Sequence, residues 1–149
     1  GECGCSADQV RRYRDRISGP FLDRIDLQVV VPRPPPGVLR PGSATGELSR
    51  AVRRRVEAAR RIQSKRAGRL NARLATREVA NHCELTVKGW KLLTTAAEHR
   101  GLSPRACHRI LKVARTIADL DGSVTIGIDH LAEAISLKQA AGNGGSAVA

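Results

Sequence analysis

The proline-rich stretch PRPPPGVLRPGSATG, residues 32–46, most constrains how this chain can fold. It holds five of the chain's seven prolines together with three glycines. Because proline fixes φ and lacks a backbone N–H, neither a helix nor a central strand can run through such a stretch. We therefore predict a linker that is stiff in its first half, with a different structural unit on each side.

The segment before this linker shows the pattern of an α/β unit. Ser6 and Gln9 have the spacing of a capping box, which predicts a short basic helix ending near Arg16. Pro20 suits the first position of a second short helix, PFLDRID. The following LQVVV, residues 27–31, is mostly β-branched and is predicted to be a buried strand.

The segment after the linker is predicted to be helical throughout. Apolar residues recur at steps of three and four over about 47–67, 86–100 and 104–120, with a shorter helix at about 76–82 and a last one ending near residue 138. Glycines or capping residues mark the ends of these segments: Gly68, Gly101, Ser103, Gly122 and Asp129. Trp90 lies on the apolar stripe of the second helix and is predicted to belong to the core.

These patterns predict a mainly α protein of about four or five packed helices after an α/β remnant. Only 2% of the residues are aromatic, so the core must consist of Leu, Val, Ile and Ala, which suits packed helices. The predicted organisation is an α/β remnant at 1–31, the linker at 32–46, a helical domain at 47–138 and a disordered tail at 139–149. We expect a soluble cytoplasmic protein that makes no membrane contact, and a piece of a longer chain, since methionine is absent.

The strong positive charge predicts a polyanionic partner. Lys and Arg number 26 against 14 acidic residues, a net charge of +12, which suits nucleic acid or nucleotide phosphates. Four cations share one face of the helix predicted at about 47–67, away from its apolar stripe. Numbering that helix α3, we call them the α3 cation face: Arg50, Arg54, Arg61 and Lys65. This face predicts either contact with DNA phosphates or a merely solvated surface. With so few aromatic residues, stacking recognition of single strands is not supported.

The chain lacks the motifs of a complete active site. It contains no G-x-x-x-x-G-K-[ST] loop, no Ser-His-Asp candidate and no paired-His zinc motif. Cys3 and Cys5 form half of a four-thiolate zinc site at best, so no metal is assigned to them. Any catalytic role must therefore be a contribution to a site that other residues complete.

Four stretches carry a family resemblance: RRYRDRISGPFLDRIDLQVVVP, SRAVRRRVEAARRIQSKRAGRLNARL, LSPRACHRILKVARTIADLDG and HLAEAISL. Together they resemble the C-terminal part of the magnesium-chelatase-like AAA+ ATPases of the ComM/YifB group. The resemblance implies the end of an AAA+ core followed by a helical-bundle lid, with ATP and Mg²⁺ as cofactors of the full-length protein. It also implies a homo-oligomeric ring, commonly a hexamer, that acts on DNA in branch migration, whereas true chelatase subunits act on a porphyrin. The P-loop of such a protein would lie upstream of Gly1.

The resemblance assigns Arg24 the role of an arginine finger that enters the neighbouring subunit's site. Its planar guanidinium keeps its charge and can hold two phosphate oxygens at once. Asp23 and Asp26 are then expected to orient it. The alternative is a surface ion pair, worth under about 1 kcal/mol.

The resemblance also assigns Arg105 the role of sensor 2, a lid arginine that contacts the γ-phosphate bound to its own subunit. It falls in the first turn of a helix, where backbone N–H groups favour an anion. Arg109, one turn later, is the other candidate for this role. Alternatively, Arg105 has no such role and is a surface arginine of the lid near Glu98. A stand-alone basic helical module that binds nucleic acid or protein, with no ATPase role, also stays open.

Overall fold

The computed structural model describes residues 4–22, 24–34, 36 and 46–138. The described residues form seven α-helices and a short 3₁₀ turn at Asn71–Arg73, and contain no β-strand. The helices are α1 (Ala7–Arg14), α2 (Gly19–Leu22), α3 (Ser49–Ala67), α4 (Thr76–His82), α5 (Val87–Arg100), α6 (Pro104–Leu120) and α7 (Ile128–Leu137). The prediction of a mainly α protein is confirmed.

Local capping signals place most helix ends as predicted. The Ser6 hydroxyl accepts a hydrogen bond from the Gln9 N–H at 3.3 Å, and the Gln9 side chain accepts one from the Ser6 N–H at 2.8 Å. α3 ends at Gly68, whose φ of 65° lies in the left-handed region that favours glycine. Because these contacts span only a few residues, the sequence is enough to predict them.

The start of α7 differs from the prediction. The N-terminal cap is Gly127, not Asp129, which lies inside the first turn. The Gly127 N–H donates to Nδ1 of His130 at 3.0 Å. The His130 ring thus accepts from the N–H of the N-cap residue itself, the part that Glu or Gln plays at the third helical position of a capping box.

Helix α6 is the centre of the bundle. It packs against α3, α4, α7 and the 3₁₀ turn, while α5 packs on α7. Ala106, Ile110, Ala114 and Ala118 recur every four residues along α6 and are almost completely buried. Three of these four are alanines, whose small side chains let neighbouring helices approach closely. Residues from the other elements close the core around them: Leu74, Val79, Cys83, Leu93, Ile126, Leu131, Ala134 and Ile135.

The prediction that Trp90 belongs to the core is wrong. Trp90 is 51% exposed, and the buried face of α5 consists of Gly89, Leu93 and Ala96. Because α5 packs on α7 through that face, the helix is rotated relative to the orientation that the apolar spacing suggested. Trp90 instead lines a groove of about 520 Å³ together with residues of α4 and α6.

The apolar stripe of α3 is buried less than its spacing predicts. Val52, Val56 and Ile62 are each exposed to about two fifths, and the helix buries only Ala59 and Gln63 completely. In the described part of the chain, α3 makes its main contact with one helix, α6, and a single neighbour covers only part of a broad apolar face.

The prediction of a buried strand at residues 27–31 is also wrong for this chain. Leu27, Val29, Val30 and Val31 are all exposed, and no strand pairs with them among the described residues. A strand requires a neighbouring strand to satisfy its backbone groups. β-Branched composition alone does not provide one.

The remaining boundaries stay predictions. Most of the predicted linker, and the whole of the predicted tail at 139–149, lie outside the described residues. No helix in the described ranges has the length and apolar character needed to cross a membrane.

Candidate nucleotide-contact site

Arg24 lies two residues after the end of the single turn of α2, at the protein surface. Its backbone N–H donates to the Phe21 carbonyl at 2.9 Å, and its Nη1 donates to the Pro20 carbonyl at 3.0 Å. Within the described part of the chain no carboxylate pairs with its guanidinium, which is exposed. Asp23 lies outside the described residues. The arginine is therefore held at its base by its own turn while its charge faces solvent.

Asp26 does not orient Arg24, contrary to the prediction. Its carboxylate instead forms an ion pair with Arg109 on α6. The Arg109 nitrogen that contacts Asp26, Nη1, also donates to the backbone carbonyl of Arg24 at 2.8 Å. Asp26 and Arg109 thus join the backbone at Arg24 to α6 without engaging the Arg24 guanidinium.

Arg105 occupies the first turn of α6. Pro104 is the first residue of that helix, and the Ser103 hydroxyl accepts a hydrogen bond from the Ala106 N–H at 3.2 Å, so the predicted cap is confirmed. Arg105 is exposed and has no hydrogen bond or ion pair to any described residue, including Glu98. Arg105 and Arg109 were the two candidates for contact with an anion. Arg109 is already paired with Asp26, so the Arg105 guanidinium is the one that is available.

A cationic cleft of about 320 Å³ lies between α4 and the first half of α6. Arg105, Arg109 and Lys112 line one side of it, at a spacing that places them on one face of α6, and His108 lies between them in sequence. Thr76 and Val79 of α4 line the other side. The charges and size of this cleft suit a phosphate-bearing ligand.

Two family models cover nearly the whole chain. One, described as magnesium chelatase, subunit ChlI C-terminal, matches residues 46–138, and another, described as magnesium chelatase, subunit ChlI, matches residues 1–38. The chain belongs to the magnesium chelatase family. Arg24 lies in the part that the ChlI model matches, and Arg105 lies in the part that the C-terminal model matches.

Within the magnesium chelatase family the chain is similar to proteins of the ComM and YifB type. It is 48% identical over 134 residues to the uncharacterised protein YifB of Escherichia coli, covering 90% of this chain and 26% of that protein. It is 48% identical over 133 residues to the competence protein ComM of Haemophilus influenzae, covering 89% of this chain and 26% of that protein. An uncharacterised protein of Mycobacterium tuberculosis is 36% identical over 142 residues, 93% of this chain and 28% of that protein. The chain spans about a quarter of the length of these relatives.

The α3 cation face is exposed along its whole length. None of its four members forms an ion pair with another described residue. Neighbouring cations behave differently: Arg55 binds Glu47, with Nη2 and Oε2 separated by 2.8 Å, and Arg66 turns toward the protein interior. The four residues thus present positive charge that no acidic side chain of the described part neutralises.

A buried charge network connects α3 to α6. The sequence patterns did not predict it. The fully buried carboxylate of Asp119 accepts hydrogen bonds from both terminal nitrogens of Arg66 at 2.7 Å, from the Asn71 amide at 2.8 Å and from Nε of Arg115 at 3.1 Å. Arg115 in turn donates to the carbonyls of Ser123 and Val124 at 2.7 and 2.8 Å. The only sequence signal was the i, i+4 spacing of Arg115 and Asp119, which is equally typical of solvated surface pairs.

Asp119 stays ionised despite its burial. Burial alone raises the pKa of this carboxyl, but the hydrogen bonds from Arg66 and Asn71 and the charge of Arg115 outweigh it and hold the pKa below its ordinary value. The network fixes the end of α3 and the 3₁₀ turn onto α6, the helix that presents Arg105.

The described cysteines do not form a metal site. Cys83 is buried in the core, where burial raises the pKa of its thiol to about 11, while Cys5 is exposed. Cys3 lies outside the described residues. Among residues 4–22, 24–34, 36 and 46–138, no group of three or more Cys, His, Asp or Glu side chains is arranged to hold a metal ion.

Proposed function

We propose that this chain is the C-terminal part of a ring-forming AAA+ ATPase that couples ATP hydrolysis to remodelling of DNA. In this proposal Arg24 is the arginine finger, and it acts on ATP and Mg²⁺ bound to the neighbouring subunit. The observation that carries the proposal is the state of Arg24, whose guanidinium is exposed and has no carboxylate partner among the described residues.

The physical reason is the charge that develops during phosphoryl transfer. Negative charge spreads over the γ-phosphate oxygens, and a positioned guanidinium from outside the pocket stabilises it. An arginine that is neutralised by its own subunit would have to break that pair first. Arg24 spends only one guanidinium donor on its own turn, the bond to Pro20, and keeps the others available.

Arg105 is proposed to contact the nucleotide bound to its own subunit. It begins the row of cations on α6 that lines the 320 Å³ cleft, and it is the member of the Arg105–Arg109 pair without an ion-pair partner in the described ranges. The N-terminal end of α6 adds a favourable backbone dipole for a phosphate. The Asp119 network holds the same helix near its C-terminal end.

DNA is proposed as the substrate on the basis of charge and similarity. The α3 cation face can neutralise phosphates without reading bases, and a relative of this chain is named a competence protein. A homo-oligomeric ring, with six subunits as the expected number, would place several such faces around one duplex.

The full-length protein tests the role of Arg24. We expect Arg24→Ala to lower the kcat for ATP hydrolysis by about 10³-fold or more and to leave nucleotide affinity unchanged, because the finger contacts only the transition-state charge of a neighbouring site. Arg100→Ala, which removes an exposed arginine from α5, is the matched control.

Complementation tests whether Arg24 acts in trans. Mixing inactive Arg24→Ala subunits with inactive subunits that lack the P-loop lysine should restore activity at mixed interfaces. An unchanged kcat in Arg24→Ala, or a loss of nucleotide binding that accounts for the whole defect, would contradict the finger assignment. A full-length gene without an in-frame P-loop upstream of Gly1 would favour the alternative, a basic module without ATPase activity.

A further inference from the structure

The segment that carries Arg24 is held against the helical domain by contacts that the sequence patterns did not predict. The donors are two cations that follow the proline-rich stretch in sequence and one backbone amide that precedes it. Arg109 pairs with Asp26 and donates to the Arg24 carbonyl at 2.8 Å; Lys138 Nζ donates to the carbonyls of Leu22 and Ile25 at 3.1 and 2.6 Å; and the Gln28 N–H donates to the Leu137 carbonyl at 2.7 Å.

The acceptors in these contacts are mostly backbone carbonyls at the end of a helical turn. Carbonyls in this position carry partial negative charge and have two lone pairs, so cations suit them even where one lone pair is already used: the Leu22 carbonyl also accepts the Ile25 N–H at 3.0 Å. Lys138 is only 7% exposed, and a buried ammonium is stable only where its donors find acceptors. The Leu22 and Ile25 carbonyls supply two of them.

Arg109 is one helical turn from Arg105 on the same face of α6. Helix α6 therefore carries Arg105, which is proposed to contact the subunit's own nucleotide. Through Arg109 the same helix also holds the backbone of Arg24, which is proposed to enter the neighbouring subunit's site. We propose that Arg109 and Lys138 are positioning residues that clamp the Arg24 segment, residues 22–28, to α6 and α7, so that movement of the lid moves Arg24 with it. This inference rests on the proposed function and adds a route by which one subunit's nucleotide sets the position of its own finger.

Arg109→Ala in the full-length protein tests the clamp with two readouts. Hydrogen exchange of peptides covering residues 22–28 should become faster, because the Gln28 amide loses its protected position, while exchange within α6 stays slow. The kcat for ATP hydrolysis should fall by about 10- to 100-fold with unchanged nucleotide affinity, since a displacement of about 1 Å at a catalytic group costs that much. Arg109→Lys should recover part of both effects, because an ammonium can still reach Asp26 and the Arg24 carbonyl.

A partner variant and a control complete the design. Asp26→Asn removes the carboxylate that pairs with Arg109, and because Asp26 is half-exposed, the change leaves the core intact. The double variant Asp26→Asn/Arg109→Ala should show no larger effect on exchange and kcat than Arg109→Ala alone. Lys91→Ala removes an exposed cation from α5 and should change neither readout.

Three results would overturn the clamp. Unchanged exchange over residues 22–28 in Arg109→Ala would show that the contacts do not hold the segment. Faster exchange with normal kcat would show that they hold it without positioning Arg24. A fall in nucleotide affinity equal to the fall in kcat would make Arg109 a nucleotide-binding residue instead. Because exchange is measured without turnover, the docking can hold even where Arg24→Ala leaves activity normal and the finger assignment fails.

Discussion

Removing the carboxylate of Asp119 should be among the most destabilising single changes in the helical domain. In Asp119→Ala, Arg115 keeps its buried position and its bonds to two carbonyls but loses its counter-charge, and Arg66 loses both of its bonds to the carboxylate. Breaking a buried ion pair from one side costs about 3–5 kcal/mol, because the remaining charge stays desolvated. That is a large fraction of the roughly 5–15 kcal/mol by which a domain is stable.

Urea unfolding of the chain, followed by circular dichroism, measures this effect. With a urea dependence of about 1.5 kcal/mol per molar, the midpoint should fall by about 2–3 M. Asp121→Ala is the matched control, since Asp121 is 64% exposed and its contacts are with Ser123 and His130; it should change the midpoint only slightly. Equal midpoint shifts for the two variants would refute the argument that burial makes the Asp119 network indispensable.

The folded-state pKa of Asp119 lies below its unfolded value of about 3.9. The ionised carboxylate therefore contributes fully to stability above about pH 3.9, and this contribution is lost as the pH falls through the folded-state pKa. Measuring the free energy of unfolding at decreasing pH should show this loss, and Asp119→Asn should remove the part of it that Asp119 causes. Cys83 should resist thiol labelling at pH 8 while Cys5 reacts, as mapped by mass spectrometry, because burial raises the pKa of Cys83 to about 11; labelling of Cys83 in the native protein would contradict its burial. The isolated chain should hydrolyse no ATP in a phosphate-release assay, and turnover by pure chain would overturn the conclusion drawn from its missing P-loop. Removing one cation of the α3 cation face should weaken duplex DNA binding by the full-length protein equally for all sequences and reduce the slope of log affinity against log salt by about 0.9; an unchanged slope would mean a solvated face.

The outcome for α5 shows the limit of periodicity as a predictor. Its boundaries were predictable, since Thr86 and Gly101 cap it through contacts a few residues away. Its buried face was not, because Trp90 and Leu93 both fit an apolar stripe and only the position of α7 decides which of them is covered. The exposed residues 27–31 make the same point for strands: their β propensity is local, but pairing needs a partner strand.

The sequence by itself determined the helical class of this protein, the ends of most of its helices, its positive charge and its family resemblance. All of these depend on residue types and spacings within a few turns of chain. Only the tertiary structure decided that Asp26 pairs with Arg109 instead of Arg24, that Asp119 is buried among arginines, and that Lys138 holds the Arg24 segment. Those contacts join residues up to 116 positions apart, and the free energy of a charge depends on what surrounds it in space, which its neighbours in sequence do not determine.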